Sequence, residues 1–105
     1  MYGAAVNNDN SKGSDRAQVI IEYSGSWSGS IYNGGSQASY EHDGAYSITF
    51  NRPENAVWVI SAVIQKEDGG SGILTVSIVD MDGNVLKTSS TSTAYGVASV
   101  ATTID

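Results

Sequence analysis

Short segments of alternating apolar and polar residues, separated by glycine-containing turns, restrict the folds that this chain can adopt. Residues 19–23 (VIIEY) and 74–79 (LTVSIV) show the alternation most clearly. A period of two residues is typical of a β-strand with one buried face. The intervening Asn-Gly, Asp-Gly and Gly-Gly pairs are typical of tight hairpin turns. We therefore predict a series of short antiparallel strands.

The kinds of apolar side chain agree with this pattern. The 105-residue chain contains ten Val and nine Ile but only two Leu, together with six Tyr and two Trp. β-Branched and aromatic side chains fit a pleated sheet better than they fit a helix. We predict an all-β fold, an antiparallel β-sandwich of the Ig-like or Greek-key kind, with seven or eight short strands.

A polar segment without hydrophobic periodicity precedes the first strand. We expect residues 1–16 to form a flexible leader or linker, because they cannot bury enough apolar surface to offset the entropy of ordering them. Residues 17–105 are predicted to form a single β-sandwich domain, which is long enough for one hydrophobic core. The chain contains no Cys, so that core has no disulfide to support it.

The charge balance argues against several classes of partner. Eleven acidic and five scattered basic residues give a formal net charge of −6, which repels nucleic acids and anionic lipid surfaces. No apolar run approaches the roughly 20 residues that a membrane-spanning helix needs. We predict no nucleic-acid partner, no membrane insertion by this segment and no cofactor.

The strand predicted over residues 57–66 is apolar on both faces. Val59 and Val63 lie on one face and Trp58 lies on the other. Such a strand is either a central strand that a loop partly covers, or it presents a patch to a partner. Trp58, with Tyr46 as its companion, is the candidate binding residue, because exposed rings on a sheet stack on sugars or line an apolar groove. In the alternative interpretation both rings belong to the core.

Two other motifs carry weaker chemical signals. Asp80, Asp82 and Asn84 have the first, third and fifth spacing of a calcium loop, but Val85 stands where that loop needs glycine. A hairpin turn explains these residues better, with weak cation binding as the alternative and no metal site expected. His42 is the only histidine and lies at a predicted turn, so we interpret it as a surface residue and predict no catalytic site.

Four segments resemble a known family of small extracytoplasmic domains. They are 19–30 (VIIEYSGSWSGS), 59–66 (VISAVIQK), 72–86 (GILTVSIVDMDGNVL) and 94–100 (AYGVASV). Together they resemble the β-sandwich domain of the mycobacterial small membrane proteins of the MmpS type, and similar membrane-anchored archaeal and bacterial domains. In mycobacteria such proteins assist lipid exporters.

The resemblance implies an extracytoplasmic domain, at the cell surface or secreted, which a segment outside this sequence tethers to a membrane. It also implies a domain without catalytic activity. We therefore expect a structural or protein-interaction domain whose partner is another protein or a second copy. The alternative is a glycan- or lipid-binding module that uses an exposed aromatic face.

Overall fold

The computed structural model describes residues 16–53 and 58–104, and these residues form eight β-strands and no helix. This confirms the predicted all-β class. Residues 1–15 of the predicted leader lie outside the described residues, whereas Arg16 already belongs to the first strand. The strands are β1 (Arg16–Glu22), β2 (Ser26–Asn33), β3 (Ser36–Asp43), β4 (Tyr46–Asn51), β5 (Trp58–Lys66), β6 (Leu74–Asp80), β7 (Val85–Thr91) and β8 (Val97–Ile104).

The strands form two four-stranded antiparallel sheets that pack face to face, so the predicted sandwich is confirmed. One sheet has the order β4-β1-β6-β7 and the other has the order β3-β2-β5-β8. Only the β2–β3 and β6–β7 connections stay within a sheet. Gly34 and Gly35 turn the first of these hairpins with φ of 56° and 99°, a backbone conformation that glycine adopts without steric cost.

The core lies between the sheets and contains the inward-facing residues of the alternating segments. β1 and β6 contribute one face of this core, while β2, β5 and β8 contribute the other. Burying β-branched side chains from both sheets stabilises the fold by removing apolar surface from water. The apolar inward-facing residues that are completely buried are Ala17, Val19, Ile21, Trp58, Ile60, Ala62, Ile64, Leu74, Val76, Ile78 and Ala98.

The two long sides of the sandwich differ. On one side β7 packs against β8 and closes the space between the sheets. On the other side β3 and β4 meet near the turn that joins them, where Tyr40 and Tyr46 are in ring contact. Farther from that turn Ala38 is exposed and Phe50 is only half-buried, although both face inward. We call this second side the open side.

The strand that was predicted to be apolar on both faces is central, between β2 and β8. Its Trp58 face is buried in the core, while on the other face Val59 is half-buried and Val63 is 49% exposed. Val57 lies outside the described residues. The second apolar face of this strand is therefore part of the outer surface of the sheet.

Candidate functional site

Trp58 does not lie on an exposed aromatic face. Its ring is completely buried, and its Nε1 donates a hydrogen bond to Oδ1 of Asn33 at 2.6 Å. The guanidinium of Arg52 lies 5.1 Å from the ring centroid, within the range of a cation–π contact. Of the two interpretations of this ring, its burial agrees with the core position, because Trp58 shares the inward face of a central strand with Ile60.

Tyr46, the second candidate, lies at the open side in a group of four rings that we call the aromatic cluster. It comprises Trp27 on β2, Tyr40 and His42 on β3, and Tyr46 on β4. The Tyr46 ring centroid lies 4.9 Å from that of His42, 5.9 Å from that of Trp27 and 6.2 Å from that of Tyr40. Trp27 is buried beneath the other rings, and its Nε1 donates to the Gly44 carbonyl at 2.9 Å.

β3 is the most exposed strand of the structure. Seven of its eight residues are exposed, and only Tyr40 is half-buried. Within the described residues β3 pairs with β2 alone, so its other edge has no strand beside it. In an antiparallel pair, alternate residues direct their N–H and C=O groups away from the partner strand. β3 therefore presents a row of backbone donors and acceptors at the open side.

The outer face beside this edge is negatively charged. Glu41, Asp43 and Glu67 line one shallow depression together with Ser26 and Ser28. The Ser26 hydroxyl donates to Oδ1 of Asp43 at 2.6 Å, and the Ser28 hydroxyl donates to Oε2 of Glu67. Because these two donors are uncharged, neither bond neutralises the negative charge of its carboxylate.

His42 belongs to the aromatic cluster. Its contacts are with the rings of Trp27 and Tyr46, at centroid distances of 6.1 Å and 4.9 Å. Over residues 16–53 and 58–104, no hydrogen bond joins His42 to a serine hydroxyl or a carboxylate. A relay of the Ser–His–Asp kind requires both of these bonds. The histidine instead adds a polar ring to the inward face of β3.

The turn that resembles part of a calcium loop is held by its own hydrogen bonds. Oδ1 of Asp80 accepts from the backbone N–H groups of Asp82 and Asn84, both at 2.9 Å, and Oδ2 accepts from the Asn84 amide at 3.2 Å. These bonds, led by the Asn84 N–H, hold the pKa of Asp80 below its ordinary value against the opposing effect of burial. No group of three or more His, Asp or Glu that could hold a metal ion is found in the described ranges.

Lys66 is a buried charged residue that sequence reasoning missed. Its side chain is completely buried, and Nζ donates to the carbonyls of Gly70 at 2.6 Å, Gly72 at 2.8 Å and Ser92 at 3.4 Å. The ammonium group also lies 5.3 Å from the ring centroid of Tyr23. Lys66 therefore ties together the β5–β6 and β7–β8 loops at one end of the sandwich. The sequence contained one sign of this burial: Lys66 follows Ala62 and Ile64 at a spacing of two residues, which places all three on the inward face of β5.

Tyr23 and Asp68 complete this end of the sandwich. The Tyr23 hydroxyl donates to Oδ1 of Asp68, and this bond, together with burial and the charge of Asp68, raises the pKa of Tyr23 to about 12. The same bond lowers the pKa of Asp68, and burial opposes that effect. The N–H of Gly70 and the charge of Lys66 lower it further. The loop end is thus held by a hydrogen-bonded network and is distinct from the open side.

Comparison with known proteins gives no match to this chain among family models, curated proteins or solved structures. Among the described residues, no helix has the length and apolar character required to cross a membrane.

Proposed function

We propose that this domain is a non-enzymatic protein-interaction module that binds its partner at the open side of the sandwich. The observation that carries the proposal is β3, an eight-residue edge strand with exposed residues on both faces. A long edge strand with open backbone groups is a template for pairing with another chain. The half-buried apolar side chains of Tyr46, Ile48 and Phe50 lie on the facing strand and supply surface for a partner to cover.

A polypeptide fits this side better than a glycan does. A glycan platform needs rings that present a flat face to the ligand, and Trp58 is in the core. The rings of Tyr40 and Tyr46 are half-buried, and their planes are tilted by 48° from one another. They therefore do not form one flat stacking surface, whereas the free edge of β3 offers backbone hydrogen bonds to an extended chain.

An extracytoplasmic, membrane-tethered setting is part of the same proposal. It is supported by the resemblance of residues 19–30 and 72–86 to the tethered sandwich domains named above. Two measurements on the natural protein test this part. Cell fractionation tests the tether, and protease added outside intact cells tests the setting, because an extracytoplasmic domain is accessible to it.

The proposed binding surface is tested with a displayed library of random peptides and, in parallel, a glycan array. We expect peptide binders that slow amide hydrogen exchange in β3 and that lose affinity for a Tyr40→Ser variant. Tyr32→Ser is the matched control, because Tyr32 lies on the outer face of the neighbouring strand and is 38% exposed.

Thermal unfolding of both variants separates lost binding from lost folding, and exchange mapping on the unmodified chain does not depend on either variant. Peptide binders that protect only other strands would overturn the proposed surface. Glycan binding without peptide binding would overturn the proposed class of function.

A further inference from the structure

The open side also specifies the chemistry of the chain that binds there. We propose that the partner is an extended segment that alternates basic with apolar side chains and adds to sheet order β3-β2-β5-β8 as a fifth strand beside β3. This inference rests on the proposed function and adds the sequence pattern of the partner to it.

The backbone of β3 requires an extended partner. β2 pairs with β3 along its full length, from Asn33 opposite Ser36 to Ser26 opposite Asp43. The backbone groups directed away from β2 therefore extend over the same eight residues. An added strand meets all of them with main-chain hydrogen bonds, while its side chains alternate between the two faces of the sheet.

The inward face of β3 requires apolar side chains on one face of the partner. Ala38, Tyr40 and His42 point inward, because they lie opposite Ile31, Gly29 and Trp27 of β2. Side chains on the same face of an added strand would lie beside Tyr40 and His42. They would cover apolar surface on β4 that is now half-buried, including Ile48 and Phe50.

The outward face of β3 requires basic side chains on the other face of the partner. Glu41 and Asp43 point outward on β3, and Glu67 lies in the same depression. No Lys or Arg lines this depression among the described residues. Opposite charges on neighbouring strands attract one another, so Lys or Arg on the outward face of the added strand would meet Glu41 and Asp43.

The same charges argue against a second copy of this chain as the occupant. Pairing two β3 strands would place Glu41 and Asp43 of one copy beside an identical acidic strand. Each chain also carries a formal net charge of −6, so the two copies repel one another. Acidic residues on an edge strand are one way to prevent self-pairing, and they leave the edge open to a basic strand.

The probe is the capped peptide TKVKVKVT, compared with TEVEVEVT, which reverses the charge, and TKKKVVVT, which keeps the composition but removes the alternation. Binding is followed by NMR titration and amide exchange. We expect TKVKVKVT to protect alternate amides of β3 and to bind about tenfold more tightly than TEVEVEVT, since two charge pairs are each worth several-fold. It should also bind more tightly than TKKKVVVT, which cannot place its lysines on one face of the added strand and its valines on the other. Its affinity should fall as the salt concentration rises.

The double variant Glu41→Gln/Asp43→Asn should lose most of this preference for the basic peptide. The control Glu22→Gln/Asp82→Asn removes the same amount of charge from exposed positions elsewhere, and it should retain the preference for the basic peptide. Equal protection of β3 by the basic and acidic peptides would overturn the charge inference. Binding of TKKKVVVT as tight as that of TKVKVKVT would overturn the inferred alternation. Either result would leave the proposed function standing. If β3 is protected only by self-association, the second copy replaces this partner. If no extended peptide protects β3, both proposals fail.

Discussion

Replacing Lys66 by Met tests whether the buried ammonium group stabilises the fold. Met keeps the length and apolar stem of the side chain but removes the three hydrogen bonds to the carbonyls of Gly70, Gly72 and Ser92. Two effects oppose one another. The variant loses charged hydrogen bonds, which lowers stability. It also avoids the free-energy cost of transferring an ammonium group from water to the protein interior, which raises stability.

The geometry favours a net loss of stability. The bonds at 2.6 Å and 2.8 Å are short, and a hydrogen bond to a charged group contributes about 1.5–3 kcal/mol. The third, at 3.4 Å, adds little. Gly70, Gly72 and Ser92 are exposed, so water can partly replace the lost donor. We therefore expect Lys66→Met to lower the free energy of unfolding by about 2–3 kcal/mol.

Urea denaturation followed by tryptophan fluorescence measures this change. A loss of that size lowers the urea midpoint by about 1–2 M for a domain of this length. Lys87→Met is the matched control, because Lys87 is exposed on β7 and its replacement should change stability by less than about 0.5 kcal/mol. A Lys66→Met protein as stable as the unmodified one would refute the reasoning, since burial of the charge would then cost as much as its bonds contribute.

Three further predictions concern the core and the loop end. Trp58→Ala should destabilise the fold by about 3–5 kcal/mol in the same assay, and a loss below about 1 kcal/mol would contradict its place in the core. Gly29→Ala should cost about 3 kcal/mol, because the added methyl group would lie 2.1 Å from a backbone carbonyl oxygen of β5, whereas Gly69→Ala has its nearest contact at 3.6 Å and should be nearly neutral. The unmodified protein should have a larger free energy of unfolding than Tyr23→Phe. This difference should be at its full value between pH 3.8 and pH 10.0, the ordinary pKa values of Asp and Tyr. The difference should disappear as the pH rises from 10.0 towards 12, where Tyr23 ionises in the folded state, and as it falls below 3.8, where Asp68 becomes protonated. A stability difference that stays the same below pH 3.8 and above pH 10.0 as between them would contradict the Tyr23–Asp68 hydrogen bond.

Much of the fold could be predicted from period and turn chemistry alone. The alternation in residues 19–23 and 74–79 correctly gave β1 and β6, and Asn33 followed by two glycines correctly marked a hairpin turn. These signals are local, because the face of a strand and the sign of φ depend on a few neighbouring residues. The start of the last strand is not readable in this way: β8 begins only at Val97, because Tyr95 adopts a positive φ of 56° in the preceding turn.

The candidate site could not be predicted in the same way, because it depends on which strands become neighbours. For Trp58 the sequence left a binding ring and a core ring as alternatives, because both faces of its strand are apolar and the sequence does not reveal which face the other sheet covers. Tyr46 was found, but its partners Tyr40 and His42 come from a strand of the other sheet. The polar character of residues 36–43 was the available sign of an edge strand.

The strand order also determines when a growing chain can fold. β1 pairs with β6, so Val19 cannot pair with Ile78 until β6 has been synthesised. β5 gains its second neighbour only when β8 has left the ribosome. Ala98 and Val100 of β8 belong to the core, so a nascent chain that ends before them leaves one edge of β5 unpaired and the core incomplete. Vectorial synthesis therefore yields hairpins first and the complete sandwich only after residue 104 is free, because pairings so distant along the chain require closure of long loops.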